Sequence, residues 1–74
     1  MAFNREIVAS RIRARRAELD LTQDEVTERA NGLGGANSLS LYESGKNLPS
    51  AENIVALAQA LDTTPNYLLG WDDS

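Results

Sequence analysis

The sequence predicts an all-α fold, a compact bundle of five short helices in a single domain spanning residues 1–74. Three observations lead there. Apolar residues recur three and four apart along the better-patterned segments, and nowhere do they alternate as in a half-buried strand. Capping and breaking residues interrupt the chain at short intervals, at Thr22-Gln23, Gly32 to Gly35, Pro49-Ser50 and Thr64-Pro65. A chain of 74 residues lies near the lower limit for a self-sufficient core, and this leaves no room for a second domain.

Helix one is expected over about residues 3–18, where Val8, Ile12 and Leu19 recur at helical spacing with the arginines mostly on other faces. Thr22 stands three residues before Glu25, the spacing of a capping box, and acids in a first turn suit the helix dipole. Helix two follows over about 23–30, with Val26 and Ala30 on a short apolar face, and Asn31-Gly32 stops it. Leu39 and Tyr42 mark a third helix over about 36–44, closed by Ser44-Gly45. Ser50 is placed to cap a fourth over about 51–61, where Ile54, Leu57, Ala58 and Leu61 fall on one stripe. Thr64-Pro65 starts a fifth over about 65–69, and Gly70 ends it. Tyr67, Leu68, Leu69 and Trp71 are expected to close the core.

Composition narrows the chemistry. With no cysteine and no histidine, disulfides, thiolate chemistry, zinc sites and imidazole catalysis are excluded together, and neither an enzyme nor a metal or other cofactor is expected. No apolar run approaches the ~20 residues that span a bilayer, and MAFNREIVAS shows no secretory signal, so a cytoplasmic location is expected. The net charge of −4 argues at first against nucleic acid, since Lys and Arg supply most phosphate affinity. All seven basic residues nevertheless lie within residues 1–46, and residues 47–74 carry Glu52, Asp62, Asp72, Asp73 and no base. One side of the domain is thereby free to face phosphates, unless the asymmetry is ordinary surface scatter.

The five helices, with RIRARRAELDLTQDEV before the glycines and LYESGKNLPSAENIVALAQALDTTPNYLLG after them, resemble the Cro/repressor-type helix-turn-helix family of phage and bacterial regulators. The likeness runs over about residues 8–70 and is most specific at Arg16, Leu21-Thr22-Gln23, Glu43 with Gly45 and Pro49, and the Ala60-Leu61-Asp62 to Gly70 ending. It implies a lambda-repressor-like DNA-binding domain in which helices two and three form the helix-turn-helix, with helix three in the major groove. It also implies base contacts from Ala36, Asn37, Ser40 and Leu41. An asparagine amide pairs with adenine, and leucine or alanine lies against a thymine methyl, so A·T-rich contacts are expected. Asn37 is equally suited to cap the helix, and Leu41 to pack on a partner subunit.

Phosphate contacts are expected from Gln23 and Thr22 at the start of helix two, where Thr22 also suits a cap, and from Ser44, Lys46 and Asn47 after helix three. Of the helix-one arginines at most one or two share the DNA face, and Arg13 is the choice. Arg16 and Glu43 match the family's structural ion pair. Two departures stand out. From Gln23 to Glu43 is twenty residues, two more than the family's usual spacing, and the addition falls in the glycine-rich Asn31 to Gly35, expected to be a longer, more pliable turn. The recognition helix also carries no Lys or Arg, so Arg-to-guanine contact is unavailable from it.

The leading expectation is a sequence-specific double-stranded DNA-binding domain of a repressor or transcription regulator, acting as a homodimer on a two-fold operator. Tyr67, Leu68 and Trp71 would supply the dimer surface; the two alternatives are a DNA-binding part of a longer repressor with a C-terminal dimerisation domain and a small complete regulator. Alternatives are an antitoxin or restriction-modification controller, and a protein-interaction module that keeps the fold without binding DNA.

Overall fold

The computed structural model describes residues 4–71 and contains five helices among them: α1 Arg5–Glu18, α2 Gln23–Arg29, α3 Ser38–Glu43, α4 Ala51–Ala60 and α5 Pro65–Leu69. The expected start of helix one near Phe3 lies outside the described residues; within them α1 begins at Arg5 behind Asn4, whose Oδ1 accepts from the amides of Glu6 and Ile7. Thr22 and Glu25 form the reciprocal capping box, with Glu25 N–H to Thr22 Oγ1 at 3.1 Å and Thr22 N–H to Glu25 Oε1 at 2.8 Å. Ser50 and Thr64 cap α4 and α5 through Asn53 and Tyr67 N–H.

All five helices end alike. After each, the backbone turns left-handed, at Asp20, Asn31, Gly45, Asp62 and Gly70, and the next amide reaches back to an orphan carbonyl of the last turn; after α2 the positive φ continues through Gly32, Leu33 and Gly34. Asp and Asn tolerate that conformation better than other side chains, so three of these stops are made without glycine.

The core is built from Val8, Ile12, Val26, Leu39, Leu57, Leu61 and Leu68, all essentially excluded from solvent. Helix α1 packs against α3 and α5, α4 against α5, and α2 against both α3 and α4. Most of the expected core residues are there, but Trp71 is 45% exposed and does not close the core, because the chain turns away at Gly70.

The glycine-rich turn is anchored at one residue. Leu33, at its centre, is 4% exposed and held at φ +53°, a conformation that costs a leucine roughly 1–2 kcal/mol. Burial of its side chain and a 3.1 Å hydrogen bond from Asn53 Nδ2 to its carbonyl offset that cost. The glycines on either side supply backbone shape around an anchored residue.

Thr22's main-chain N–H, and then its hydroxyl, hold the Glu25 carboxyl below its ordinary range. A carboxylate lowered in this way contributes stability that is fully present above the unfolded value of about 4.3 and is lost as the pH falls through the lower folded value. Wild type is therefore expected to melt higher than Glu25→Gln at pH 7, with the gap closing only below the ordinary glutamate range. Paired melting curves from pH 7 to pH 2.5 check this; a gap that does not change with pH contradicts it.

Candidate nucleic-acid interface

Helix α3 is held in place from two neighbouring helices through Glu43, which is 5% exposed. Arg16 Nε donates to Glu43 Oε2 at 2.7 Å and Arg16 Nη2 to Oε1 at 3.0 Å, a two-pronged pair of the kind that fixes orientation as well as distance. Gln23 Nε2 donates to the same Oε1 at 3.1 Å. Arg16 Nη1 also holds the Leu21 carbonyl at 3.0 Å. One carboxylate thus joins α1, the start of α2 and the end of α3. The hydrogen bonds that Arg16 donates to the Glu43 carboxylate raise the guanidinium pKa above its ordinary value, so the group stays charged throughout the accessible range.

The far side of α3 is held by Asn53 of α4, whose Nδ2 donates to Tyr42 Oη at 2.8 Å as well as to the Leu33 carbonyl. Asn53 thereby ties the lengthened turn to the helix that follows it. Sequence reading missed it, and the available signal was faint: one amide side chain in the first turn of a mostly apolar helix that also carries Glu52 and Gln59.

The outward face of α3 is small and uncharged. Ser40 is exposed and Leu41 half-buried. Ala36 and Asn37 are exposed but precede the helix, which starts at Ser38, two residues later than expected. The cause is a turn, with Gly35 N–H bonded to the Gly32 carbonyl and Ser38 N–H to the Gly35 carbonyl. Asn37 occupies the capping position yet makes no side-chain cap hydrogen bond, so its amide points to no backbone donor of α3.

The expected phosphate residues divide by what already engages them. Thr22 is exposed and occupied in its capping box. Gln23 is half-buried, its side chain turned to Glu43. Ser44 Oγ donates to the Leu41 carbonyl at 3.0 Å. Lys46 and Asn47 are exposed, and neither side chain has a hydrogen bond or ion pair among the described residues. Gly45, at φ +78°, lets the loop turn directly after α3 and presents both of them beside the helix end.

The helix-one arginines serve mainly as clamps. Arg11 Nη1 donates to the Tyr67 carbonyl at 3.1 Å, with the guanidinium 4.6 Å above the Tyr67 ring. Arg15 holds the carbonyls of Leu61 and Asp62 at the end of α4, at 2.8 and 3.0 Å. Arg13 Nη1 donates to the Glu43 carbonyl at the end of α3, where a cation also suits the helix dipole.

A short outer helix set behind a turn on a preceding helix, backed by a buried polar anchor and edged by exposed donors, defines a helix-turn-helix protein. The chain belongs to the helix-turn-helix family, whose model matches residues 12–68. Among curated proteins it is 36% identical over 71 residues to repressor protein C2 of Salmonella phage P22, a match that covers 95% of this chain and 32% of that protein. The chain therefore spans about a third of that relative's length. Among solved structures it is similar to the P22 c2 repressor protein in complex with synthetic operator 9T, with a TM-score of 0.75, 36% identity, and coverage of 88% of this chain and 96% of the other. A hypothetical transcription factor from Neisseria shares the fold, with a TM-score of 0.79 at 24% identity over 89% of this chain and 74% of its own.

Removal of the Arg16 side chain leaves Glu43 buried against a vacated partner, a loss of about 3 kcal/mol for a pair that is largely sheltered. Arg11→Ala removes one hydrogen bond and one cation–π contact on a more open surface, about 1 kcal/mol. Chemical denaturation of the two variants is expected to rank Arg16→Ala as clearly less stable; equal losses would remove the ion pair from its structural role.

Proposed function

We propose that the chain is the sequence-specific, double-stranded DNA-binding part of a phage- or bacterial-type repressor, with α3 in the major groove and no catalytic role. The observation that carries the reading is the anchored, outward-facing α3 together with a likeness, at 36% identity, to a repressor solved on its operator. Asn37, Ser40, Leu41 and Ala36 are the side chains proposed to meet base edges, and without an arginine among them the readout favours A·T pairs. Lys46 and Asn47 are the proposed backbone anchors. Arg13, Thr22 and Ser44 lie on the same border, each with an intramolecular bond to loosen first, and Gln23 offers its backbone amide. A DNA partner places the working protein in the cytoplasm.

Two-fold operators require a dimer, and of the residues expected to supply its surface Trp71 is exposed and Tyr67 half-buried. Leu68 is fully buried and unavailable to a partner, although the sequence suggested it together with Tyr67 and Trp71. An apolar groove of about 220 Å³ lies beside the loop that follows α3, lined by Leu48, Pro49, Val55, Pro65 and Leu69, and Val55 is 47% exposed. A second copy of the chain is the proposed occupant. Light scattering at high micromolar concentration is expected to show self-association that Val55→Glu reduces without lowering the melting temperature. A monomer at every concentration refutes self-dimerisation of this segment.

Selection of bound duplexes from a random pool tests the function directly. The expected product is a two-fold site with A·T pairs at the contacted positions, bound with a shallow salt dependence, since roughly two to four phosphates neutralised per protomer give about −0.9 each in the log–log slope. No enrichment and no binding at low salt would favour the interaction-module reading.

A further inference from the structure

Arg5 is the one helix-one arginine without a close structural bond. Arg11, Arg15 and Arg16 each hold a main-chain carbonyl within 3.1 Å, and Arg13 holds that of Glu43. Arg5 has a single contact, Nη1 to the Lys46 carbonyl at 3.4 Å, at the outer limit of a hydrogen bond. Its side chain is exposed, and the other guanidinium donors have no partner among the described residues. Arg5 is also the first residue of the 14-residue α1, where a cation opposes the helix dipole. Helix stability therefore gives no reason for a positive charge there.

Its surroundings give one. Arg5 and Lys46 flank an open groove of about 590 Å³ that runs between the start of α1 and the loop after α3, with Asn47 and Ser50 among its lining residues and no acid on its walls. Two cations and two neutral hydrogen-bonding side chains converge on one space in a chain of net charge −4. The groove is continuous with Lys46 and Asn47, the loop pair with free side chains beside α3. A guanidinium fork matches a phosphate in two-pronged geometry, and Lys46, which lines the same groove, adds a point charge.

We propose that Arg5 is a further DNA-backbone contact, which with Lys46 and Asn47 clamps a phosphate of the duplex against the start of α1. The proposal rests on the reading of the chain as a duplex-binding domain. It extends the footprint past the recognition helix and gives a nearly uncharged reading surface an added cationic anchor.

The test is the salt dependence of duplex binding by the chain and its Arg5→Gln and Arg5→Lys variants, on the duplex selected by the wild type, with melting temperatures recorded in parallel. Arg5→Gln is expected to flatten the log–log slope by about 0.9, the value for one phosphate, with base preference and melting temperature unchanged. Arg5→Lys is expected to keep most of the slope. A salt-dependent wild type with an unaltered slope in Arg5→Gln overturns this inference alone. A wild type that binds no duplex at low salt overturns the functional reading and this inference with it.

Discussion

The carboxylate of Glu43 is the constraint on which the rest of the arrangement depends. Helix α3 has only six residues, too few to persist without tertiary support. Leu39 and Tyr42 press its inner face into the core, but apolar packing alone leaves rotation about the helix axis weakly defined. The two-pronged Arg16 pair and the Gln23 amide, all on one carboxylate, fix that rotation relative to α1 and α2. Burial makes the constraint stringent, since a carboxylate 5% exposed tolerates no loss of its partners.

The same economy shows in the arginines. RIRARR looks like a basic patch, but its guanidinium groups hold the carbonyl ends of α3, α4 and α5 to α1. They complete helix ends whose carbonyls lack helical partners, and they lock α1 as a strut along the bundle. The positive charge left for a partner is correspondingly small: Arg5 and Lys46 beside the loop after α3, and the exposed Arg29 at the end of α2.

Much of the fold was legible because its signals are local. Thr22 with Glu25, Ser50, and Thr64 with Pro65 each announced a helix start that the structure places within a residue, and the stripe from Ile54 to Leu61 located the central helix. The start of α3 was not legible, because glycines encode many turn conformations and the one adopted depends on Leu33 entering the core and on Asn53 reaching across from α4. Trp71 misled for a related reason: an aromatic residue beyond a helix stop carries no information on which way the chain turns. At the site, the Arg16–Glu43 geometry stands where the family likeness implied it. The roles of individual arginines were hidden, since composition cannot show whether a guanidinium faces a carbonyl or solvent.

The central claim, that Glu43 couples α1 to α3, is tested most directly by a double-mutant cycle with Arg16→Ala, Glu43→Ala and the double variant, measured by chemical denaturation. The account predicts a coupling energy above about 1 kcal/mol, with the double variant more stable than the two single losses imply, because removal of both partners leaves no unpaired buried charge. Losses that add to within about 0.5 kcal/mol would contradict it.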